Sequence, residues 1–218
     1  GFKIKISKVF DDGRASLSQG IIKSSAKKAK STSRYLKQLI DEGYDIIFLE
    51  PSVLAMIRYD YKKLINDDNL FNYIKTKCYD IFEYLLMMID DGKIELEEIK
   101  KRIIPANTKI FYHVHCQLKS IGLGDVVPAF FNRFGIPIVT STQECCGMAG
   151  SFGYKKHFYE ISKSIGEQLI EEINLFDKGE DKLVILASGT SCREQINGFI
   201  KIPVIAYHPV EYLNRLIK

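Results

Sequence analysis

The sequence predicts an α/β fold with a mostly parallel sheet, on two observations. Short runs rich in β-branched and aromatic residues alternate along the chain with longer stretches whose apolar residues recur at helical spacing. Such alternation is typical of parallel sheets, whose strands are joined through helices. The composition agrees, because 46% hydrophobic and 27% charged residues are usual for a globular chain of 218 residues and not for a disordered one.

The first half of the chain is predicted to be mainly helical. Apolar residues at helical spacing predict a helix over residues 17–40, which ends before Gly43. The short apolar run at residues 46–49 predicts a buried strand, and residues 53–65 and 70–89 predict two further helices.

The second half alternates more regularly. Strands are predicted at residues 109–114, 136–140, 183–187 and 203–207, and helices at residues 125–134, 154–175 and 210–217.

Two segments of the chain resemble each other and indicate a duplication. Residues 1–13 and 135–147 align without a gap, and each is strand-like, then polar, then a residue pair followed by Gly before a long helix. We therefore expect two pseudo-duplicated α/β halves, residues 1–104 and 105–218. Chance similarity between two α/β segments is the alternative, since strand, turn and helix recur in every such fold.

The charge pattern gives little support to a nucleic-acid partner. The net charge is +4, and its local excess lies on one predicted helix, at Lys23, Lys27, Lys28, Lys30, Arg34 and Lys37. A solvated helix face explains this excess, and an acidic partner or nucleic acid is the alternative. The sequence has no long apolar run and no signal-peptide pattern. We therefore expect no transmembrane segment and a cytoplasmic chain that associates with a membrane only through a partner.

Because the chain begins with Gly1 and not Met, we expect a piece of a longer protein.

Four of the five cysteines follow predicted strands. Cys116, Cys145, Cys146 and Cys192 each come shortly after such a strand. Because the carboxyl ends of parallel strands meet at one edge of a sheet, these thiols can converge there. Four converging thiolates indicate a metal site, and four cysteines suffice for one iron–sulfur cluster.

The stretch after the cysteine pair contains several glycines. Gly147 and Gly150 allow the backbone to pass close to a bulky ligand, and their amides are potential donors to cluster sulfur. His113 and His115 share one strand face and are candidates for supporting a metal ligand, while His208 begins the last helix.

Other interpretations stay open at this point. Adjacent cysteines are also common as small buried hydrophobic residues. A structural zinc is a further alternative, although it favours cysteine pairs two to four residues apart, which this chain lacks. Cys116 with His113 or His115 is the alternative of a nucleophilic thiol. Cys78, in a predicted helix, is expected to be a core or surface residue.

Three motifs and the chain's ending resemble a known family. They are His-Val-His-Cys at 113–116, Glu-Cys-Cys-Gly-Met-Ala-Gly-Ser-Phe-Gly-Tyr at 144–154, Gly-Thr-Ser-Cys-Arg-Glu-Gln-Ile at 189–196, and His208-Pro209. The chain resembles the cysteine-rich CCG-domain proteins, which occur among the subunits of glycolate oxidase, anaerobic glycerol-3-phosphate dehydrogenase and heterodisulfide reductase. Its motifs are most similar to the C-terminal iron–sulfur part of FAD-linked oxidases.

This resemblance implies an electron-transfer role. It implies one cluster of the 4Fe–4S kind on the four cysteines, with Gly147 and Gly150 close to it, Ser191 bonded to a cluster sulfide and Arg193 offsetting its charge. The oxidoreductase would carry FAD on a flavoprotein domain or partner subunit, oxidise a 2-hydroxy acid such as glycolate or lactate, and pass electrons to a downstream acceptor. No catalytic residue is expected on this chain.

The departures from the family pattern are informative. Asp11, Asp12 and Val53 stand where the first repeat of the family has cysteines, which implies that the first cluster site is lost. Gly189 stands where a Cys-x-x-Cys motif would begin. A thiol/disulfide enzyme of the heterodisulfide reductase kind, and a structural or docking module with zinc or no metal, are the alternative functions.

Overall fold

A computed structural model describes residues 2–104, 108–177, 179 and 182–217. It confirms the predicted α/β class, with helices and parallel strands arranged in two sheets. The chain packs as two compact units, one made of Gly1–Ile46 with Val53–Tyr79 and the other of Ile47–Ser52 with Asp80–Lys218. The division into repeats at residues 104 and 105 concerns the origin of the chain, and it stays a prediction.

The elements follow one another in this order. The first half contains α1 (Arg14–Ser18), α2 (Ile22–Asp41), β1 (Ile46–Phe48), α3 (Pro51–Ala55), a π-helical stretch (Met56–Asp60), α4 (Tyr61–Ile65), α5 (Asp68–Lys75), β2 (Cys78–Asp80), α6 (Ile81–Asp90) and α7 (Leu96–Lys100). The second half contains β3 (Thr108–His113), α8 (Cys116–Ser120), α9 (Val126–Asn132), β4 (Val139–Thr140), a 3₁₀ turn (Phe152–Tyr154), α10 (Tyr159–Phe176), β5 (Lys182–Ala187), α11 (Thr190–Phe199), β6 (Ala206–Tyr207) and α12 (Pro209–Leu216).

The first unit is helical and is built around α2. This helix packs against α1, α4 and α5. Its buried stripe includes Leu36 and Leu39, and α4 and α5 contribute the buried Leu64, Phe71 and Ile74. Five of the six basic residues noted on α2 are exposed, and Lys28 is partly buried. The positive face is therefore the solvated side of an amphipathic helix.

The second unit contains a four-stranded parallel sheet in the order β4-β3-β5-β6. The central strands β3 and β5 pair in register from Thr108 with Lys182 to His113 with Ala187. This order makes β4, β3 and β5 neighbours, so the segments that follow them begin at the same sheet edge.

Both faces of this sheet are covered by helices. Even-numbered residues such as Tyr112 and Leu186 pack with the aromatic residues of α6, α9 and α12, among them Phe82 and Phe131. Odd-numbered residues such as Phe111 pack against α10 and α11 on the opposite face. The alternation follows from the two-residue period of a strand, and near-continuous apolar strands are typical of a sheet buried on both faces.

The predicted helix over residues 70–89 is wrong in its middle. Residues 78–80 form β2, so Cys78 lies in a strand and not in a helix. The reason is a helix start at Asp80, whose carboxylate accepts from the Phe82 amide while Glu83 accepts from the Asp80 amide. This capping box begins a new helix at this point.

Other elements differ in extent. Residues 2–12 contain no strand, and the strand expected at residues 136–140 is limited to Val139–Thr140. The helix expected over residues 17–40 is interrupted around Gly20, whose φ is +75°. The short helices α7 and α8 and the ten-residue α11 were not predicted.

Two glycines share an unusual geometry. Gly13 and Gly147 have φ values of +89° and +90°, and a Cβ atom on either would lie within 3 Å of the carbonyl oxygen of a serine in the next long helix, Ser25 or Ser162. The two glycines end the segments that the sequence aligned, residues 1–13 and 135–147.

Within the described part of the chain, no helix is both long enough and apolar enough to cross a membrane.

Candidate metal centre

The four predicted cysteines lie after three neighbouring strands of the parallel sheet. Cys116 begins α8 just after β3, Cys145 and Cys146 lie in the loop after β4, and Cys192 lies in the first turn of α11 after β5. The helices that hold Cys116 and Cys192, α8 and α11, were not predicted from the sequence. Cys78, on β2, belongs to the other unit and takes no part.

The four thiols are in contact as a chain. All four are free thiols. Cys116 lies at hydrogen-bonding distance from Cys145, Cys145 from Cys146, and Cys146 from Cys192. Contact with Cys116 lowers the pKa of Cys145, and contact with Cys146 lowers the pKa of Cys192. The same contacts raise the pKa of Cys116 and Cys146. Thiols bind metals as thiolates, so a bound metal would release the protons that these four groups hold.

His113 lies against the buried end of this group. It is fully buried, and its Nδ1 is 2.9 Å from Ser141 Oγ. The ring contacts the Cys192 thiol, and a ring nitrogen and the sulfurs of Cys146 and Cys192 lie within 4.8 Å of one another. The sequence offered His113 only as a candidate for supporting a metal ligand. Its contact with Ser141, 28 residues away, follows from no local sequence pattern.

The turn after the cysteine pair is packed tightly. The Gly147 amide donates to Cys145 Sγ at 3.4 Å, as expected of a close backbone approach. On the other side of this turn, Gln195 of α11 donates to the Ser162 carbonyl oxygen at 2.9 Å, and a Cβ on Gly166 would lie 2.6 Å from the Gln195 amide nitrogen. A Cβ on Gly147 itself would lie 2.3 Å from the Ser162 carbonyl oxygen, so Gly147 has no room for a side chain.

Glu50 stabilises the start of α11, which the sequence did not reveal. Its carboxylate accepts from the Thr190 amide at 2.9 Å and from the Ser52 hydroxyl at 2.6 Å. Burial would raise the pKa of Glu50, but these two hydrogen bonds outweigh burial and lower it. The N-cap Gly189 has no side chain for this purpose, so Glu50 serves as the cap of the helix that carries Cys192.

Gly189 and His115 fit together. A Cβ on Gly189 would lie 1.9 Å from His115 Cδ2. His115 Nδ1 accepts from the Gln117 amide, and its Nε2 is 3.9 Å from the Glu50 carboxylate. A cysteine at position 189 would overlap this ring, which gives a physical reason for the incomplete Cys-x-x-Cys motif.

The other predicted residues have varied surroundings. Gly150 is exposed with φ +68° and open space beside it, and Ser191 is partly buried next to Cys192. The Arg193 guanidinium donates to the carbonyl oxygens of Ala187 and Ser188 at 2.9 and 2.8 Å. Roles of Gly150, Ser191 and Arg193 toward a cluster stay predictions. His208 caps α12 through the Val210 amide, as its position before Pro209 suggested.

In the first unit, the turn corresponding to the cysteine pair carries ion pairs. Asp11 is 2.8 Å from Lys28 Nζ, and Asp12 is 3.8 Å from Arg14 Nε. Each carboxylate has a cation beside it and offers no thiolate. This arrangement is compatible with the predicted loss of the first cluster site.

Three donor atoms at the buried end of this group lie close together. A single tetrahedral zinc with Zn–S bonds near 2.3 Å places its sulfurs about 3.8 Å apart. Among the described residues, only the donor atoms of His113, Cys146 and Cys192 lie mutually within 4.8 Å. Cys116 and Cys145 extend the chain of sulfurs beyond that group.

Sequence comparison finds dehydrogenases. The chain is 24% identical over its full length to D-2-hydroxyglutarate dehydrogenase of Haemophilus influenzae, and 25% identical over 97% of its length to the enzyme of that name from Pseudomonas putida. It is 23% identical over 90% of its length to one subunit of the anaerobic glycerol-3-phosphate dehydrogenase of Escherichia coli. No protein-family model matches the chain.

The chain spans only part of each relative. It covers 20% and 19% of the two D-2-hydroxyglutarate dehydrogenases and 47% of the glycerol-3-phosphate dehydrogenase subunit. The similarity accords with the prediction of an oxidoreductase component. In each comparison, the chain corresponds to only a part of a larger protein.

Proposed function

We propose that the chain is the iron–sulfur electron-transfer part of a flavin-linked 2-hydroxy acid dehydrogenase. In this proposal Cys116, Cys145, Cys146 and Cys192 bind one cluster of the 4Fe–4S kind, and FAD is bound by another domain or subunit. The observation that carries the proposal is the convergence of four thiols after three neighbouring parallel strands.

The comparisons support the substrate class. Several relatives are named for 2-hydroxyglutarate, which is a 2-hydroxy acid, and one for glycerol 3-phosphate, which also has an oxidisable hydroxyl group. A flavoprotein domain or subunit would oxidise such a substrate, and a downstream acceptor would receive the electrons. When bound, the cluster supplies one-electron storage and transfer.

The chain's own residues hold and insulate the site. Cys146 and Cys192 are almost fully buried, whereas Cys116 and Cys145 are partly exposed. The cysteines that reach the surface give electrons a short route in or out. The Gly147 amide, which donates to Cys145 Sγ, would stabilise negative charge on a bound thiolate.

Metal analysis tests this proposal. Protein purified without oxygen is expected to contain about four irons and a similar amount of acid-labile sulfide per chain. Cys116→Ala, Cys145→Ala, Cys146→Ala and Cys192→Ala are each expected to lose most of both. Cys78→Ala is the matched control, because Cys78 is also buried but belongs to the other packing unit, and it should keep the wild-type content.

A single zinc ion is the second candidate, on the observation that His113, Cys146 and Cys192 lie close enough together for one ion. It predicts about one zinc per chain with no sulfide, and insensitivity to Cys116→Ala. A nucleophilic thiol at Cys116 is less well supported, because contact with Cys145 raises the pKa of Cys116, and a raised pKa disfavours the reactive thiolate.

A further inference from the structure

We infer that His113 is a positioning residue of the proposed site: its Nε2–H donates to the Cys192 sulfur, Ser141 holds the ring in that tautomer, and the hydrogen bond raises the reduction potential of the bound cluster. The inference rests on the proposed function. It leaves the four thiolates as the complete set of ligands and gives the ring a role beside them.

The position of His113 is set by the sheet. It is the last residue of β3 and is an odd-numbered residue, so its side chain lies on the sheet face covered by α10 and α11. Cys146 and Cys192 belong to the buried cluster on that same face. The ring therefore meets the two buried sulfurs and not the apolar residues of the opposite face.

The contact between the ring and Cys192 is direct. The His113 side chain lies at hydrogen-bonding distance from the Cys192 thiol, and a ring nitrogen lies within 4.8 Å of that sulfur and of the Cys146 sulfur. Nε2 is buried and has no oxygen or nitrogen partner among the described residues. Because buried polar atoms are nearly always satisfied, the Cys192 sulfur is the partner that the geometry offers to Nε2.

Ser141 determines which ring nitrogen carries the proton. Its hydroxyl oxygen is 2.9 Å from His113 Nδ1 and 3.4 Å from the Gln143 carbonyl oxygen, so the ring nitrogen is the nearer acceptor. A neutral imidazole whose Nδ1 accepts a hydrogen bond carries its proton on Nε2. Ser141 is itself held in place, because it is buried and its amide donates to the Tyr112 carbonyl oxygen.

A hydrogen bond to Cys192 favours the reduced site. Hydrogen bonds to an ionised acceptor such as a thiolate are roughly twice as strong as those between neutral groups. Cys192 is only 2% exposed, so water has little access to compete for its sulfur. Reduction adds negative charge to the site and strengthens such a bond, and hydrogen bonds to sulfur are among the factors that set a cluster's potential. Removal of the donor should therefore lower the potential.

The other buried histidines are engaged elsewhere. His115 accepts from the Gln117 amide through Nδ1, and its Nε2 lies 3.9 Å from the Glu50 carboxylate. The Nε2 atom of His208 lies 3.0 Å from the Leu49 carbonyl oxygen. Neither ring replaces the hydrogen bond that we assign to Cys192.

A potentiometric titration of the cluster-loaded protein, followed by EPR, tests the inference. His113→Leu removes the donor and is expected to change the ratio of oxidised to reduced cluster about tenfold in favour of the oxidised form, which is a lowering of about 59 mV for a one-electron couple. His113→Gln keeps an N–H donor and is expected to restore most of the wild-type potential. Ser141→Ala lets the ring take either tautomer and is expected to lower the potential by a smaller amount.

Tyr112→Phe is the matched control. Tyr112 precedes His113 on β3, is also fully buried and loses one hydrogen bond, to Ser188, but it packs on the opposite face of the sheet. This variant should keep the wild-type potential. An unchanged potential in His113→Leu, or an equal shift in His113→Gln or in Tyr112→Phe, overturns the inference. If His113→Leu holds no cluster, Ser141→Ala decides: a lowered potential supports the inference and an unchanged potential overturns it.

Iron and sulfide analysis of the same samples separates failure of the inference from failure of the proposed function. Wild-type protein that contains iron and sulfide, with a potential that does not respond to His113, keeps the function and overturns the inference. A lower cluster content in His113→Leu, with the remaining clusters at the wild-type potential, shows a purely structural role and also overturns it. Wild-type protein that contains zinc without sulfide, or no metal, overturns both.

Discussion

Gly147 illustrates how closely single residues are fitted around the cysteines. Its φ of +90° is rare for any residue with a side chain, and a Cβ there would lie 2.3 Å from the Ser162 carbonyl oxygen and 3.1 Å from the Gly166 amide nitrogen. Both obstacles are backbone atoms of α10, which would have to shift. This glycine therefore sets the distance between the cysteine loop and α10.

Gly147→Ala is expected to lower the free energy of unfolding by about 2–4 kcal/mol, because it adds steric overlap to backbone strain. Gly150→Ala is the matched control. Its φ is also positive but the space beside it is open, so a cost of about 1 kcal/mol is expected from backbone strain alone. Urea denaturation of both variants measures the difference. Equal costs would show that the contact with Ser162 is unimportant.

At this scale the sequence revealed the cysteines but not their partners. Thiols that follow strands can be recognised from residue type and position. Ser141 beside His113 and Glu50 beside Thr190 depend on contacts between residues 28 and 140 positions apart, for which no local pattern exists. The clash that explains Gly189 likewise appears only once the His115 ring is placed.

Among the secondary-structure elements, α11 has the most direct influence on the site. It begins one residue after Gly189, carries Cys192 in its first turn, and is buried through Cys192, Gln195 and Ile196. Glu50 completes its first turn from a distant part of the sequence. The orientation of Cys192 therefore depends on a carboxylate outside the helix.

Glu50→Gln is expected to destabilise the protein by about 1–2 kcal/mol at neutral pH, since it removes charge from a hydrogen-bonded helix cap. The pKa of Glu50 is lowered by folding, so its contribution is present above its ordinary pKa of 4.5 and is lost as the pH falls through the lower folded value. The difference between wild type and variant should shrink below pH 4.5. Thermal unfolding across pH measures it.

Glu160→Gln serves as the control for this prediction. Glu160 lies exposed in the first turn of α10, so a change within a few tenths of a kcal/mol is expected. A Glu50→Gln cost that does not vary with pH would contradict the assignment of a charged cap.

The elements that sequence patterns missed are short or begin at unusual caps. The α11 helix begins after a glycine without a capping side chain, so its start shows no local signal. β4 pairs over two residues only, and apolar spacing cannot fix so short a strand. The start of α6 was readable in principle, since Asp80 and Glu83 form a recognisable capping box.

Over the whole molecule, the site belongs to one of two packing units. All four cysteines of the site lie in the unit made of Ile47–Ser52 and Asp80–Lys218. The α/β class followed from alternating patterns along the chain. The unit boundaries did not, because residues 47–52 group with residues far downstream through contacts such as Glu50 with Thr190.

Metal binding is expected to stabilise this unit selectively. Hydrogen exchange in α8 and α11 should slow by about tenfold or more in metal-loaded protein relative to metal-free protein, because a ligand bound only by the native state stabilises it. Amides of α2 and α5 in the other unit serve as the internal control and should change little. Uniform protection across both units would contradict local binding.

The most direct test of the central claim is the EPR spectrum of anaerobically purified protein before and after dithionite reduction, recorded for wild type, Cys145→Ala and Cys78→Ala. A reducible iron–sulfur cluster on Cys116, Cys145, Cys146 and Cys192 predicts a signal that appears on reduction in wild type and Cys78→Ala and is lost in Cys145→Ala. A signal of equal strength in Cys145→Ala, or no signal in wild-type protein that contains iron and sulfide, would contradict it.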